Sequence, residues 1–116
     1  MPPFQAAVDA GVTTAMESYN DINGEPVCAS EKYLKTLLRD EMGFEGMLVT
    51  DWAEIKDLTR FHMIAETEKD ATRITMQRTS VDMSMVAIGV CLHLVNEDCF
   101  NRVVNFPSPH TLDLVL

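Results

Sequence analysis

Basic residues are scarce in this sequence. Nine Lys and Arg stand against eighteen Asp and Glu, which gives a formal net charge of -9 at pH 7. Because phosphate binding rests on clustered cations, this balance predicts no nucleic-acid partner.

Long apolar runs are also missing. None approaches the roughly 18 residues that a membrane-spanning helix needs, so we predict no membrane partner. The opening stretch, residues 1–5, has neither the basic nor the apolar region of a secretion signal. The sequence therefore predicts no secretion signal, and it assigns no compartment.

Cysteine pairs and familiar cofactor motifs are absent. Cys28, Cys91 and Cys99 are widely spaced and form no C-x-x-C pair. We predict reduced thiols, with a disulfide between two of them as the alternative. No G-x-G-x-x-G, P-loop, G-x-S-x-G or H-E-x-x-H motif occurs, so we predict no cofactor and no metal site. His62 and Glu66, four residues apart, are expected to be a solvated pair on a helix.

What the sequence does contain is an alternation of helical and strand patterns within 116 residues, enough for one domain. Gly11 ends a first helix, and Ser30 can cap a later one. Residues 20–26 are rich in turn formers and predict a loop. The predicted strands are residues 12–16, 47–49 and 81–85, and the predicted helices end at Gly11 or cover residues 33–42 and 66–77. This order predicts an α/β fold with parallel strands.

Candidate functional residues follow two of these strands. Asp51 and Trp52, the only tryptophan, come just after residues 47–49, and Glu17 and Tyr19 follow residues 12–16. Ligands bind at the carboxyl ends of parallel strands, where these side chains would share a rim. The alternatives are local: residues 51–54 match a helix capping box, Trp52 is a half-buried core or interface ring, and Tyr19 anchors its loop.

Six ordered segments resemble one known family. They are A-G-V (10–12), A-M-E-S-Y-N (15–20), I-N-G-E-P (22–26), L-L-R-D-E-M-G-F-E-G (37–46), V-T-D-W (49–52) and V-D-M (81–83). Together they resemble glycoside hydrolase family three, the β-glucosidase and exo-glucanase group, from about Pro2 to Met85. The resemblance divides the chain into a partial barrel domain, residues 1–86, and an irregular tail of unassigned structure, residues 87–116.

The resemblance implies both a fold and a reaction. The fold is a partial (β/α)8 barrel with about three βα units. Asp51 falls on the nucleophile of a retaining mechanism that hydrolyses O-glycosyl bonds, and Tyr19 and Trp52 fall on sugar-binding positions. Thr50 replaces a serine of the family motif and keeps its hydroxyl, and Ser80 stands where the family usually has glycine.

The implied substrate is a β-glucoside or a β-glucan oligosaccharide. The other sugar ligands and the acid/base residue would come from the rest of the barrel and a second domain, so the isolated chain is expected to be inactive. Two alternatives remain: a receiver-like signalling domain phosphorylated at Asp51, and a non-catalytic truncated product that associates through exposed apolar faces.

Overall fold

The computed structural model describes residues 1–86, which form short strands and helices in alternation. The predicted tail, with Cys91 and Cys99, lies outside the described residues. The helices are α1 (Pro2–Asp9), α2 (Glu54–Arg60) and α3 (Glu68–Arg78), with a π-helix at Lys32–Glu41 and a 3-10 turn at Val27–Ala29. The strands are β1 (Thr14–Met16), β2 (Asp21–Ile22), β3 (Glu25–Pro26) and β4 (Met47–Val49).

The central sheet is parallel, as predicted. β1 pairs with β4, with Ala15 opposite Leu48. The predicted third strand is reduced to one parallel bridge between Val49 and Met83 on the other side of β4. The Thr50 N–H donates to the Met83 carbonyl oxygen at 2.9 Å and extends this contact. β4 is therefore the middle strand, and the residues that follow it lie between two neighbours.

Two predicted helix boundaries are confirmed. Gly11 follows α1 with φ of 81°, a conformation that favours glycine. Ser30 caps the second helix, since its Oγ accepts a hydrogen bond from the Tyr33 N–H at 3.3 Å. That helix has the wider π-type hydrogen bonding over Lys32–Glu41.

Two segments differ from the sequence-based expectations. Residues 20–26, predicted to be a loop, hold the antiparallel β2–β3 hairpin. Its turn residues Asn23 and Gly24 both have positive φ, 56° and 79°, as the tight primed hairpin turns require. The polar stretch after Trp52, which gave no helical pattern, contains α2, whereas the predicted helix at 66–77 is found as α3.

The helices cover one face of the sheet. Two buried apolar clusters lie there: Cys28, Ala29, Ile55, Leu58, Ala65 and Ala71 in one, and Val27, Leu34, Phe44, Leu48 and Val81 in the other. Side chains alternate between faces along a strand, so Ala15 and Leu48 face this core. Met16 and Met47 point to the other face and are exposed.

Arg39 ties the π-helix to the amino ends of the strands. Its guanidinium donates to the Phe44 and Gly46 carbonyl oxygens at 3.0 and 2.5 Å, and to Asp82 Oδ2 at 2.7 Å. The same Asp82 oxygen accepts the Leu48 N–H at 2.8 Å. This network fixes β4 against residues 80–82, and so it sets where β4 ends.

Within residues 1–86, no helix is both long and apolar enough to cross a membrane.

Candidate active site

The carboxyl ends of β1 and β4 bring together the three residues singled out in the sequence. Asp51 follows β4 by two positions, and Tyr19 follows β1 by three. The Tyr19 hydroxyl donates a hydrogen bond to the backbone carbonyl oxygen of Trp52. Asp51, Trp52 and Tyr19 therefore occupy one rim of the sheet.

Asp51 is held by contacts on both its backbone and its side chain. Its backbone N–H donates to Glu17 Oε1 at 3.3 Å, and its carbonyl oxygen accepts from the buried Thr50 hydroxyl at 2.9 Å. Its Oδ1 accepts the Trp52 N–H at 2.7 Å. Among the described residues no hydrogen-bond donor contacts Oδ2.

The capping-box alternative for residues 51–54 does not form as expected. The Asp51 side chain bonds to the next residue, Trp52, rather than to the N–H of Glu54. α2 begins at Glu54, and the residue before it, Ala53, is left-handed with φ of 60° and makes no side-chain cap. Asp51 thus lies outside the helix, on the loop between β4 and α2.

Both aromatic side chains at the rim are accessible. Trp52 is 62% exposed and Tyr19 is 45% exposed, so the expectation of a half-buried Trp52 core ring is wrong. Desolvation, and then the negative charge of Asp51, raise the pKa of the Tyr19 phenol above its usual value. The phenol therefore stays protonated and remains a hydrogen-bond donor beside Asp51.

Beneath the rim lies a pair of carboxyl groups that sequence reasoning did not recognise as a pair. Glu17 is only 5% exposed and Glu54 only 1%. Burial, followed by the neighbouring Glu54 carboxyl, raises the pKa of Glu17 to about 10. Burial and the same two carboxyls also raise the pKa of the Cys28 thiol. Side chains alternate between faces along a strand and Ala15 faces inward, so the sequence could have predicted that Glu17, two residues later, is buried.

The described residues hold no cluster of three or more His, Cys, Asp or Glu side chains that could bind a metal ion. His62 lies just beyond α2, and its Nδ1 is 3.3 Å from Asp21 Oδ1. Glu66 is not on a helix with it, so the expected His62–Glu66 pair is wrong.

Of two shallow depressions among the described residues, one lies at the opposite end of the sheet. It is lined by residues that precede β1 and β4, including Val12, Thr13, Phe44 and Gly46. Neither depression includes Asp51, Tyr19 or Trp52.

The fold is of the α/β class, with a parallel sheet whose carboxyl rim carries one carboxylate and two aromatic side chains. In open sheets of this class, ligands bind at the carboxyl ends of the strands. The chain belongs to glycosyl hydrolase family 3, because the model of that family's N-terminal domain matches residues 1–101. The match continues past residue 86, and the domain boundary at that position remains a prediction.

Individual relatives agree with this assignment. A periplasmic β-glucosidase from Salmonella typhimurium is 42% identical over 85 residues, which are 73% of this chain and 11% of that protein. A β-xylosidase from Formosa agariphila is 40% identical over 87 residues, 74% of this chain and 12% of that protein.

A solved β-glucosidase structure from Erythrobacter marinus superposes with a TM-score of 0.71 at 32% identity. The match covers 81% of this chain and 13% of that one. The chain thus spans about one eighth or less of the length of these proteins.

Proposed function

We propose that this chain is the part of a retaining glycoside hydrolase that carries the nucleophile, Asp51, within a partial (β/α)8 barrel. The observation that carries the proposal is the position of Asp51. It lies at the carboxyl end of the central parallel strand, with Oδ2 unpartnered among the described residues and with Tyr19 and Trp52 on the same rim. In parallel α/β enzymes this edge of the sheet is where reacting groups converge.

The proposed chemistry has two steps. Asp51 Oδ2 attacks the anomeric carbon and forms a glycosyl ester, while the glycosidic oxygen leaves with a proton from a general acid. A water molecule then attacks the same carbon, gives up a proton to that conjugate base, and frees the Asp51 carboxylate. The acid/base must reach the glycosidic oxygen from a position roughly 5–5.5 Å from the nucleophile. We assign no such group among residues 1–86, because Glu17 and Glu54, the carboxyl groups beneath Asp51, are buried.

Trp52 and Tyr19 would orient the sugar. The exposed indole offers a flat apolar surface that suits the apolar face of a pyranose ring. The Tyr19 hydroxyl holds the Trp52 backbone, and the Trp52 N–H in turn holds Asp51 Oδ1. This chain of contacts couples the position of the ring to the orientation of the nucleophile.

A β-D-glucoside or β-glucan oligosaccharide is the proposed substrate. Support comes from the names of the relatives, of which one is a β-glucosidase and one a β-xylosidase. A xyloside lacks only the hydroxymethyl group of a glucoside: a pocket that contacts just the methylene gains about 1–3 kcal/mol from it, whereas a pocket that hydrogen-bonds the hydroxyl discriminates far more strongly. Both a glucoside and a xyloside should therefore be tested as substrates.

The experiment is a segment exchange. The 85 residues of the Salmonella relative that match this chain are replaced by the corresponding residues of this chain. We expect the folded chimera to hydrolyse an aryl β-glucoside faster than an aryl β-xyloside. Asp51→Asn should lower kcat roughly a thousandfold or more, because it removes the nucleophile.

A covalent label locates the nucleophile independently of rate. A 2-fluoro-glucoside that forms a slowly hydrolysed ester should modify Asp51, as identified by peptide mass spectrometry. Asp40→Asn, on the exposed face of the π-helix, is the matched control and should leave both rate and label unchanged. A label on any other residue, or a folded chimera whose turnover survives Asp51→Asn, would refute the assignment.

A further inference from the structure

Two acidic side chains lie buried against each other under the rim. Glu17 comes from the end of β1 and Glu54 from the first residue of α2, and both are more than nine-tenths buried. Glu17 Oε1 accepts the Asp51 N–H, whereas Glu17 Oε2 and both Glu54 oxygens have no hydrogen-bond partner among residues 1–86. Three buried carboxyl oxygens without donors would be costly if both groups were ionised.

No compensating cation faces this pair within the described residues. The titratable groups around Glu17 are Glu54 on α2, Asp51 after β4, Cys28 in the 3-10 turn and Tyr19 after β1. All of these are acidic or neutral. Neither Glu17 nor Glu54 takes part in an ion pair there, and the lysine on α2, Lys56, instead lies 3.8 Å from Glu68.

The pair also lies on the helix-covered side of the sheet. Glu17 follows Ala15 by two positions and so faces the core that Ala15 faces, away from the exposed face that carries Met16. Among residues 1–86 no other hydrogen-bond donor contacts these three oxygens, so a proton held between the two carboxyls is the donor available to them.

We propose that Glu17 and Glu54 share one proton, and that Glu17, held in this pair, is a positioning residue that fixes the Asp51 backbone through its N–H. A proton between the facing carboxyls supplies the missing donor and leaves the buried pair with one negative charge instead of two. The effect of this contact on catalysis rests on the proposed role of Asp51. The proton sharing and the backbone contact themselves do not depend on that role.

The shared proton makes the fold sensitive to pH in a defined direction. An unfolded glutamate loses its proton near pH 4.5, whereas the pKa of Glu17 in the folded chain is about 10. Between these values the folded chain holds one proton more than the unfolded chain. Its folding equilibrium constant should therefore fall about tenfold for each pH unit from about 5 to 10, and the contribution of Glu17 should be pH-independent above and below that window.

Glutamine variants test the sharing directly. In Glu17→Gln or Glu54→Gln, the amide N–H replaces the shared proton as the donor. Either substitution alone should therefore abolish the tenfold-per-unit slope in denaturant titrations of the 116-residue chain at pH 6, 7 and 8. The control Glu66→Gln, at an exposed site, should keep the slope. A wild-type chain without the slope, or a slope that both variants retain, would overturn the proposal.

Carbon-13 NMR of the unmodified chain gives a second measurement that needs no variant. With ¹³C-labelled glutamate, the Glu17 side-chain carboxyl signal should show no titration below pH 8 in the folded chain, whereas the exposed glutamates serve as the internal comparison. A Glu17 signal that moves with those of the exposed glutamates would refute proton sharing.

Hydrogen exchange of the Asp51 amide measures whether Glu17 positions the Asp51 backbone. Glu17→Gln retains an oxygen that can accept the Asp51 N–H, and Glu17→Met does not. Hydrogen exchange of the Asp51 amide should stay slow in the first variant and quicken about tenfold in the second, relative to amides in the core of α3. Equal exchange in the two variants would refute the positioning role. None of these readouts measures glycoside turnover, so their failure is distinguishable from failure of the segment exchange.

Discussion

At the scale of single residues, the orientation of Asp51 depends on backbone groups. Its Oδ1 is fixed by the Trp52 N–H and its own N–H by Glu17 Oε1. Thr50 adds a further constraint, since its hydroxyl donates to the Asp51 carbonyl and accepts the Met85 N–H at 3.1 Å. Thr50, which replaces a serine of the family motif, thus keeps a hydroxyl that makes two hydrogen bonds.

Tyr19→Phe tests the link between the two aromatic residues of the rim. The change removes the O–H that bonds to the Trp52 carbonyl and leaves the ring in place. We expect altered Trp52 fluorescence, because this is the only tryptophan and its backbone loses an anchor. In the segment exchange we expect kcat/KM to fall about tenfold.

Tyr33→Phe is the matched control for that experiment. Tyr33 lies on the π-helix, and among residues 1–86 its hydroxyl makes no hydrogen bond to Asp51, Tyr19 or Trp52, so its substitution should leave both the fluorescence and kcat/KM unchanged. If Tyr19→Phe behaved like Tyr33→Phe, the Tyr19 hydroxyl would have no part in ordering the rim.

At the scale of secondary-structure elements, Arg39 sets the register of β4 against its neighbours. Besides its bonds to Gly46 and Asp82, its Nε donates to Ser80 Oγ at 3.0 Å. Ser80, which stands where the family usually has glycine, thereby gains a role in the same network. Gly46 is also constrained, since a Cβ there would come within 2.3 Å of the Thr13 carbonyl oxygen.

Arg39→Lys should destabilise the chain. A lysine keeps the charge but cannot span two carbonyl oxygens, the Ser80 hydroxyl and the Asp82 carboxylate at once. We expect the free energy of unfolding to fall by about 2 kcal/mol, measured by urea titration.

The comparison for this variant is Arg73→Lys. Arg73 makes an exposed ion pair with Asp70 at 3.0 Å, and such pairs contribute at most about 1 kcal/mol. Its substitution should therefore have little effect. Equal losses in the two variants would mean that the fork geometry of Arg39 does not matter.

Secondary-structure elements were predicted correctly where a local sequence pattern defines them, and they were missed where burial in the fold defines them. Two of the three predicted parallel strands, the Ser30 cap and the Gly11 stop follow from short-range signals and are found, whereas the third strand is reduced to one bridge. α2 was missed because its apolar side chains are few. Ile55 and Leu58 are buried, but the third buried residue is Glu54, which a hydrophobic pattern counts as exposed.

The β2–β3 hairpin could have been found. Asn23–Gly24 is a strong signal for a two-residue hairpin turn, and the residues on either side are simply too few to show strand alternation. Composition alone indicated a turn but not the pairing around it.

At the scale of the whole molecule, the sheet is covered on one face only within the described residues. Met16 and Met47 are 55% and 41% exposed on the other face. The chain spans 11–12% of the length of the relatives reported above. Family membership leaves the receiver-like alternative without support, whereas association through the exposed face remains a prediction.

We expect the purified 116-residue chain to show no measurable turnover of an aryl β-glucoside. The proposed mechanism needs a general acid beside Asp51, and none is assigned among residues 1–86. A sensitive fluorogenic assay at high protein concentration checks this, with Asp51→Asn as the blank. Turnover above that blank would show that the chain holds a complete catalytic set.

Size-exclusion chromatography and thermal melting address the association alternative. A compact monomer with one cooperative transition would argue against association through the exposed sheet face, and concentration-dependent elution would support it.

The sequence by itself determined the parallel α/β order and the identity of three candidate residues, Asp51, Tyr19 and Trp52. These follow from periodicity, capping and position after a strand, all of which are properties of neighbouring residues. Only the tertiary structure decided that Glu17 and Glu54 meet beneath the rim, that Trp52 is exposed and that Asp51 bonds to the Trp52 N–H. The first two depend on contacts between elements distant in the chain, whose burial and charge no local pattern records, and the third depends on the backbone conformation of the loop between β4 and α2.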